Sequence, residues 1–282
     1  MPAVAMTDHG NMYGAIQFYQ KMHAAGVKPI FGCEAYLAPT VHTERKEIPG
    51  RKRNTHITLL CENNTGWENL TKMISIAHLH GQYYGKPRID YDLLEQYSEG
   101  IICLSGCITG PVNEWLRNDD YEKAKEVAEK FIDIFGKENY FIEIHNHGLE
   151  IQDQVRPGLI KIAQELGLKT VVANDAHFLT REDHEAHDVL ICIGTGKQVI
   201  DDNRMKYSTE VYFKSSEEMR TLFSDMPEAC DATLEIAERC NVTMVLDATS
   251  TAKYPQFGTP DGSPLWEGSC RERSRVDRPS EI

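Results

Sequence analysis

His9, Glu34, His56, Cys107, Asp175 and His177 carry the side-chain types that hold divalent transition metals: imidazole nitrogen, carboxylate oxygen and thiolate sulfur. They are far apart along the chain, yet most follow an apolar run of strand length. Thr7-Asp8-His9-Gly10 follows Pro2 to Met6, Gly32-Cys33-Glu34 follows Lys28 to Phe31, and Ser105-Gly106-Cys107 follows Ile101 to Leu104. His145-Asn146-His147 follows Tyr140 to Ile144, and Asn174-Asp175-Ala176-His177 follows Thr170 to Ala173. In α/β barrels the site is assembled from side chains at the C-terminal ends of several strands, so this distribution suits one metal pocket.

Each residue also has a plainer reading. Asp175-Ala176-His177 puts two ligand types on one side of an extended segment, but it also suits a turn in which Asp175 caps a helix. Asp8 is better placed to cap the helix that follows than to bind an ion. Glu34 sits in an apolar run, where a carboxylate is costly unless it is paired with a cation or bound to a metal. Cys107 has packing as its default role. His56 begins its strand and breaks the strand-end pattern, so spacing alone makes it a surface histidine. His145 and His147 form either a ligand arm or a hydrogen-bonded loop. His78, His80, His184 and His187 read as surface or helix-end residues.

The elements that must position these groups alternate. A strand over 2–6 leads to a helix capped by Asn11, with Met12, Ala15, Ile16, Tyr19 and Met22 on its apolar face and Gly26 at its end. Lys28 to Leu37 returns as a strand, and residues 40–54 form an exposed loop with a basic tip. The spacing then predicts a strand at 56–61, a helix from Thr65-Gly66 through Ala77, a strand at 100–104, and helices at 109–117 and 120–135. A strand at 139–144, a helix at 151–166, a strand at 168–173 and a helix at 182–193 follow. Val211 to Phe213 and helices at 216–224 and 227–240 close the domain. This alternation predicts an α/β fold with a parallel sheet or barrel.

Composition sets bounds. A formal charge of −13 argues against an extended basic surface for nucleic acid, while leaving room for a local patch. The eight scattered cysteines, with no CxxC pair and no signal peptide, are the usage of a reducing cytoplasm. No apolar stretch approaches the ~20 residues of a membrane span, so a soluble cytoplasmic protein is expected. There is no GxGxxG, P-loop, GxSxG or HExxH motif. Pro264 to Ile282, with Arg271, Arg273, Arg275 and Arg278, is expected to be a disordered or foreign tail, leaving 1–262 as the domain.

Taken in order, Ala5-Met6-Thr7-Asp8-His9-Gly10-Asn11-Met12-Tyr13-Gly14-Ala15, Lys28 to Tyr36, His56-Ile57-Thr58-Leu59-Leu60, Leu104-Ser105-Gly106-Cys107, Asn174-Asp175-Ala176-His177-Phe178-Leu179 and His187-Asp188-Val189-Leu190 resemble one family. It is the PHP (polymerase and histidinol phosphatase) domain, and in particular the PHP domains of bacterial DNA polymerase III alpha subunits, the C-family replicative polymerases. The resemblance implies a distorted (β/α)7 barrel with a multinuclear site for Zn, Mn or Fe. It assigns His9, Glu34, His56, Cys107, Asp175 and His177 as metal ligands, with Asp175 and His177 at the reacting centre, and leaves His145 and His147 unassigned. Family members hydrolyse phosphoesters. In some alpha subunits the domain resembles a 3′–5′ proofreading exonuclease, and in others its role is structural.

The family also begins with an HxHxxxS-type strand before Thr7 and continues into a polymerase palm after Tyr254-Pro255-Gln256-Phe257. This chain has neither, so a fragment lacking its first barrel strand and the polymerase palm, with weak metal occupancy and weak or no phosphoesterase activity, is expected. The partners implied are DNA through the parent polymerase, a proofreading exonuclease subunit and a sliding clamp. The alternatives are a free-standing PHP phosphatase of a small phosphomonoester and a non-catalytic scaffold that docks an exonuclease.

Overall fold

A computed structural model describes residues 1–246, and Met1–Thr243 form one compact unit. The chain runs β1 (Ala3–Met6), α1 (Ala15–Ala24), β2 (Lys28–Leu37), β3 (Thr55–Cys61), α2 (Asn64–His80), β4 (Gln82–Tyr83), β5 (Lys86–Ile89), α3 (Tyr91–Tyr97) and β6 (Ile101–Leu104). It continues through α4 (Pro111–Leu116), α5 (Tyr121–Phe135), β7 (Tyr140–Ile144), α6 (Glu150–Leu166), β8 (Thr170–Val172), a 3-10 turn (Arg181–Asp183), α7 (His184–Thr195), α8 (Ser216–Leu222) and α9 (Pro227–Arg239). The tail expected from 264 onward, and the end of the 1–262 domain, lie outside the described residues.

The strands form a mixed sheet in the order β4-β5-β2-β3-β6-β7-β8, with β1 paired to β2. The uniformly parallel sheet expected from alternation is corrected at β3. This strand runs antiparallel to both β2 and β6, with Tyr36 opposite His56 and Thr58 opposite Leu104. The reason lies in the connection. A parallel return needs a crossover of a dozen or more residues, usually a helix, whereas residues 38–54 wind back as a loop and reverse the chain. Buried Arg88 holds that loop, donating to the backbone carbonyls of His42, Glu44 and Arg53.

Because side chains alternate along a strand, Ile30, Gly32, Glu34 and Tyr36 share one face of β2, and Leu60, Thr58 and His56 share one face of β3. Ile30, Leu60, Ile102, Leu104, Phe141 and Val171 pack with Ala232 and Ile236 of α9, and with Cys240 at its C-terminal end, in one apolar cluster. Each fully buried large side chain of this kind contributes about 1.5–3 kcal/mol. Further along the same strand faces, apolar residues give way to Glu34, His56 and Glu143, so one face supplies core at one end and polar chemistry at the other. Neither β1 nor β8 has a second strand partner among the described residues.

Two local expectations change. The first helix starts at Ala15 with Gly14 at its cap, because Asn11 accepts a bond from the Tyr13 amide and closes a turn instead. Among the described residues Asp8 caps no helix, since α1 has no side-chain cap. The hairpin β4–β5 and α3 were not expected; the hairpin turns on Tyr84-Gly85, both at positive φ, and Asp90 caps α3 through the Leu93 amide.

Candidate metal centre

Glu34 is the centre of the site. Its carboxylate is buried and receives Nδ1 of His9 on Oε2 and Nδ1 of His56 on Oε1, each at 3.0 Å. His9 reaches it because β1 runs on past Met6 far enough to form a bridge from His9 to Glu34, fixed by the Gly10 amide donating to the Glu34 carbonyl. His56 reaches it because β3 is antiparallel. The start of a reversed strand lies beside the ends of its neighbours, which is why the histidine that broke the strand-end pattern sits in the pocket after all. The Lys or Arg partner considered for Glu34 is replaced by these two imidazoles.

Cys107 joins on the other side of His56. Thr109 Oγ1 lies 3.1 Å from Cys107 Sγ and 2.9 Å from His56 Nδ1. Ligand atoms of Glu34, His56 and Cys107 all lie within 4.8 Å of one another. Oxygen, nitrogen and sulfur donors at that spacing fit one divalent ion with bonds of ~2.0–2.3 Å after small side-chain rotations. Gly106 makes this turn possible: its φ is +83°, and a Cβ there would lie 2.3 Å from the His56 carbonyl oxygen.

Asp175 and His177 approach from β8. Asp175 has φ +49°, a left-handed conformation that aspartate adopts more readily than most residues. His177 Nδ1 donates to the Asp175 carbonyl at 2.8 Å, and its ring lies 6.1 Å from that of His9. Asp175 Oδ1 is 3.8 Å from His177 Nδ1, and Oδ2 is 3.8 Å from His145 Nδ1. The six expected residues thus lie near one another, with Glu34, His56 and Cys107 the tightest group and Asp175 and His177 beside them.

Electrostatics follow from the packing. Burial pushes the Glu34 carboxyl up, but hydrogen bonds from His56 and His9 outweigh it and hold the group below the usual glutamate range. The bond to Glu34 raises His9 against the opposing effect of burial. Burial, with Glu34 nearby, pushes the Cys107 thiol up to about 12, so it is a neutral thiol at pH 7 unless a cation stands against it.

The HxH pair divides. His147 uses both nitrogens locally, Nε2 toward the Asn174 carbonyl at 2.8 Å and Nδ1 accepting from Gln152 at 3.0 Å. Burial and neighbouring His145 lower it to about 4. His145 places Nε2 2.9 Å from Glu143, whose other oxygen accepts from the Gly106 amide and the Thr58 hydroxyl. Glu143 was not anticipated as part of the site. Its signal was the one that marked Glu34, a carboxylate inside an apolar strand. His78, read as a helix-end residue, in fact bonds the Gly10 carbonyl at 2.8 Å and steadies the turn that carries His9.

A mixed sheet whose strand ends bring His, Glu, Cys and Asp side chains together defines an α/β domain of barrel type with a candidate metal site. A family model for the PHP domain matches residues 1–147, and this chain belongs to that family. The mixed sheet, open between β1 and β8 among the described residues, fits a PHP-type barrel lacking one strand. DNA polymerase III subunit alpha of Borreliella burgdorferi is 46% identical over 242 residues, covering 86% of this chain and 21% of that protein. The subunit of Mycobacterium tuberculosis is 42% identical over 277 residues (93% and 23%), and that of Thermus aquaticus 39% over 266 (93% and 22%). The chain therefore spans about a fifth of the length of these curated relatives. Among the described residues no helix is long and apolar enough to cross a membrane.

Proposed function

We propose that this chain is the metal-binding PHP domain of a bacterial DNA polymerase III alpha subunit, and that its pocket hydrolyses phosphodiester bonds at DNA 3′ ends. The observation that carries the reading is the convergence of His9, His56 and Cys107 around the buried Glu34 carboxylate. Glu34, His56 and Cys107 would hold one Zn, Mn or Fe ion, with Asp175 and His177 on the facing wall. When bound, such an ion supplies Lewis acidity toward phosphoryl oxygens and a water of lowered pKa. The chain itself supplies orientation. Thr109 fixes the His56 ring, Glu143 braces the Gly106 turn, and Lys86, donating to Tyr36 Oη at 2.9 Å, brings positive charge to the His9 side, where it would steady a phosphate.

In the parent polymerase the domain would serve DNA replication, with DNA, a proofreading exonuclease subunit and a sliding clamp as partners, in the cytoplasm. The test is digestion of a 5′-labelled primer by this chain with Mn²⁺ or Zn²⁺. The expected result is stepwise 3′ shortening that is abolished by EDTA and reduced at least 100-fold in Glu34→Gln. Bound metal without any shortening would instead assign the domain a structural role.

A further inference from the structure

We propose that His145 is itself a metal ligand, through Nδ1, to an ion shared with Asp175; the inference rests on the metal-binding reading above. His145 is 9% exposed, and its Nδ1 has no hydrogen-bond partner among the described residues, an expensive condition for a buried ring nitrogen. That nitrogen faces the Asp175 carboxylate at 3.8 Å, too far for a hydrogen bond. The separation is shorter than the ~4.1 Å sum of two metal–ligand bonds, so one ion can reach both atoms.

The other side of the ring is built for this role. Glu143 holds Nε2 at 2.9 Å and is itself locked by the Gly106 amide and the Thr58 hydroxyl. A carboxylate that accepts Nε2–H leaves Nδ1 of the neutral ring with its lone pair aimed into the pocket. This carboxylate–histidine–metal arrangement is the one that orients ligating imidazoles and raises their basicity. It also accounts for the division of the HxH pair: His147 has both nitrogens occupied by Gln152 and Asn174, whereas His145 has one nitrogen braced and one open. The rival occupant of the gap is a proton, which would make His145 an imidazolium between Glu143 and Asp175.

The experiment is long-range ¹H–¹⁵N correlation on the ¹⁵N-histidine-labelled full chain, before and during titration with Zn²⁺ alone, with His145 assigned by His145→Gln. The expected result is a metal-ligated Nδ1 shift at His145 with Nε2–H retained, and a loss of Zn²⁺ affinity in His145→Gln exceeding the ~10–100-fold cost of an outer-sphere change. An Nδ1 that stays protonated or unshifted at Zn²⁺ saturation overturns the inference, and this readout on the unaltered chain stands even if His145→Gln does not fold. Glu34→Gln and Cys107→Ser separate the two levels. If both lose Zn²⁺ while His145 is unshifted, only the His145 assignment fails. If the unaltered chain takes up no Zn²⁺, the underlying reading and this inference fall together.

Discussion

Replacing Cys107 with aspartate should remove one proton from the metal-binding equilibrium. In the metal-free protein the thiol stands at about 12, raised by burial and by Glu34, so at pH 7 it is protonated. Ionising it there costs about 7 kcal/mol, from roughly five pH units at about 1.4 kcal/mol each. Metal–thiolate bonding must offset that cost and release the proton to solvent. Apparent affinity for Zn²⁺ should therefore rise about tenfold per pH unit from Cys107 alone across the neutral range. His9 adds to the slope below its raised pKa, because its proton must also leave if the ring ligates. An aspartate at 107 starts from an ordinary pKa about 4.6 units below that of cysteine, so in the same surroundings it loses its proton far more readily and the slope should fall, by up to one proton toward the alkaline end of the range. Competition with a zinc indicator at several pH values measures the slope, and calorimetry in buffers of different ionisation enthalpy counts the protons directly. Equal slopes for the unaltered chain and Cys107→Asp would show that the thiol is not a ligand.

Three further outcomes follow from the same geometry. Glu34→Gln weakens two charge-assisted hydrogen bonds, one to partly exposed His9, and should cost the metal-free protein about 1.5 kcal/mol, or roughly 3–6 °C in Tm. The Glu34 carboxyl is held below its ordinary value, so its stabilisation is complete above pH ~4.3 and fades as pH falls through the folded value. His9 is raised, so its share is complete below pH ~6.5 and fades as pH rises through the folded value; thermal melts across pH in EDTA should show both flanks in the unaltered chain and lose them in Glu34→Gln. Gly106→Ala combines a positive φ with a Cβ 2.3 Å from the His56 carbonyl, so denaturant titration should show a loss of at least ~2 kcal/mol, and Zn²⁺ affinity should fall with it. Arg88→Met leaves the carbonyls of His42, Glu44 and Arg53 without their buried donor, and hydrogen exchange should show lost protection across residues 39–54 with the core sheet unchanged.

Much of the site was legible because chemistry and periodicity agree. Glu34 is a carboxylate inside an apolar strand and Asp175-Ala176-His177 ends one, so each stands out from a local pattern; Glu143 carries the same signal as Glu34 but sits beside the HxH pair, which draws the reading away from it. His56 is different. Its role depends on β3 being antiparallel, a consequence of how residues 38–54 pack around Arg88, and no periodicity within 55–61 reports strand direction. The β4–β5 hairpin was missed because two-residue strands leave no alternation to read; only Tyr84-Gly85 marks it. Asn11 looked like a helix cap because cap and turn use the same side-chain chemistry, and only the Tyr13 amide decides between them. The division between His145 and His147 rests on Glu143 and Gln152, partners that adjacency in sequence does not select.

The central claim is that Glu34, His56 and Cys107 bind one ion, and anomalous diffraction from crystals of this chain grown with Zn²⁺ tests it most directly. The expected map has a peak ~2.0–2.3 Å from a Glu34 oxygen, a His56 nitrogen and Cys107 Sγ. A zinc-saturated crystal with no anomalous peak among those three side chains would contradict it.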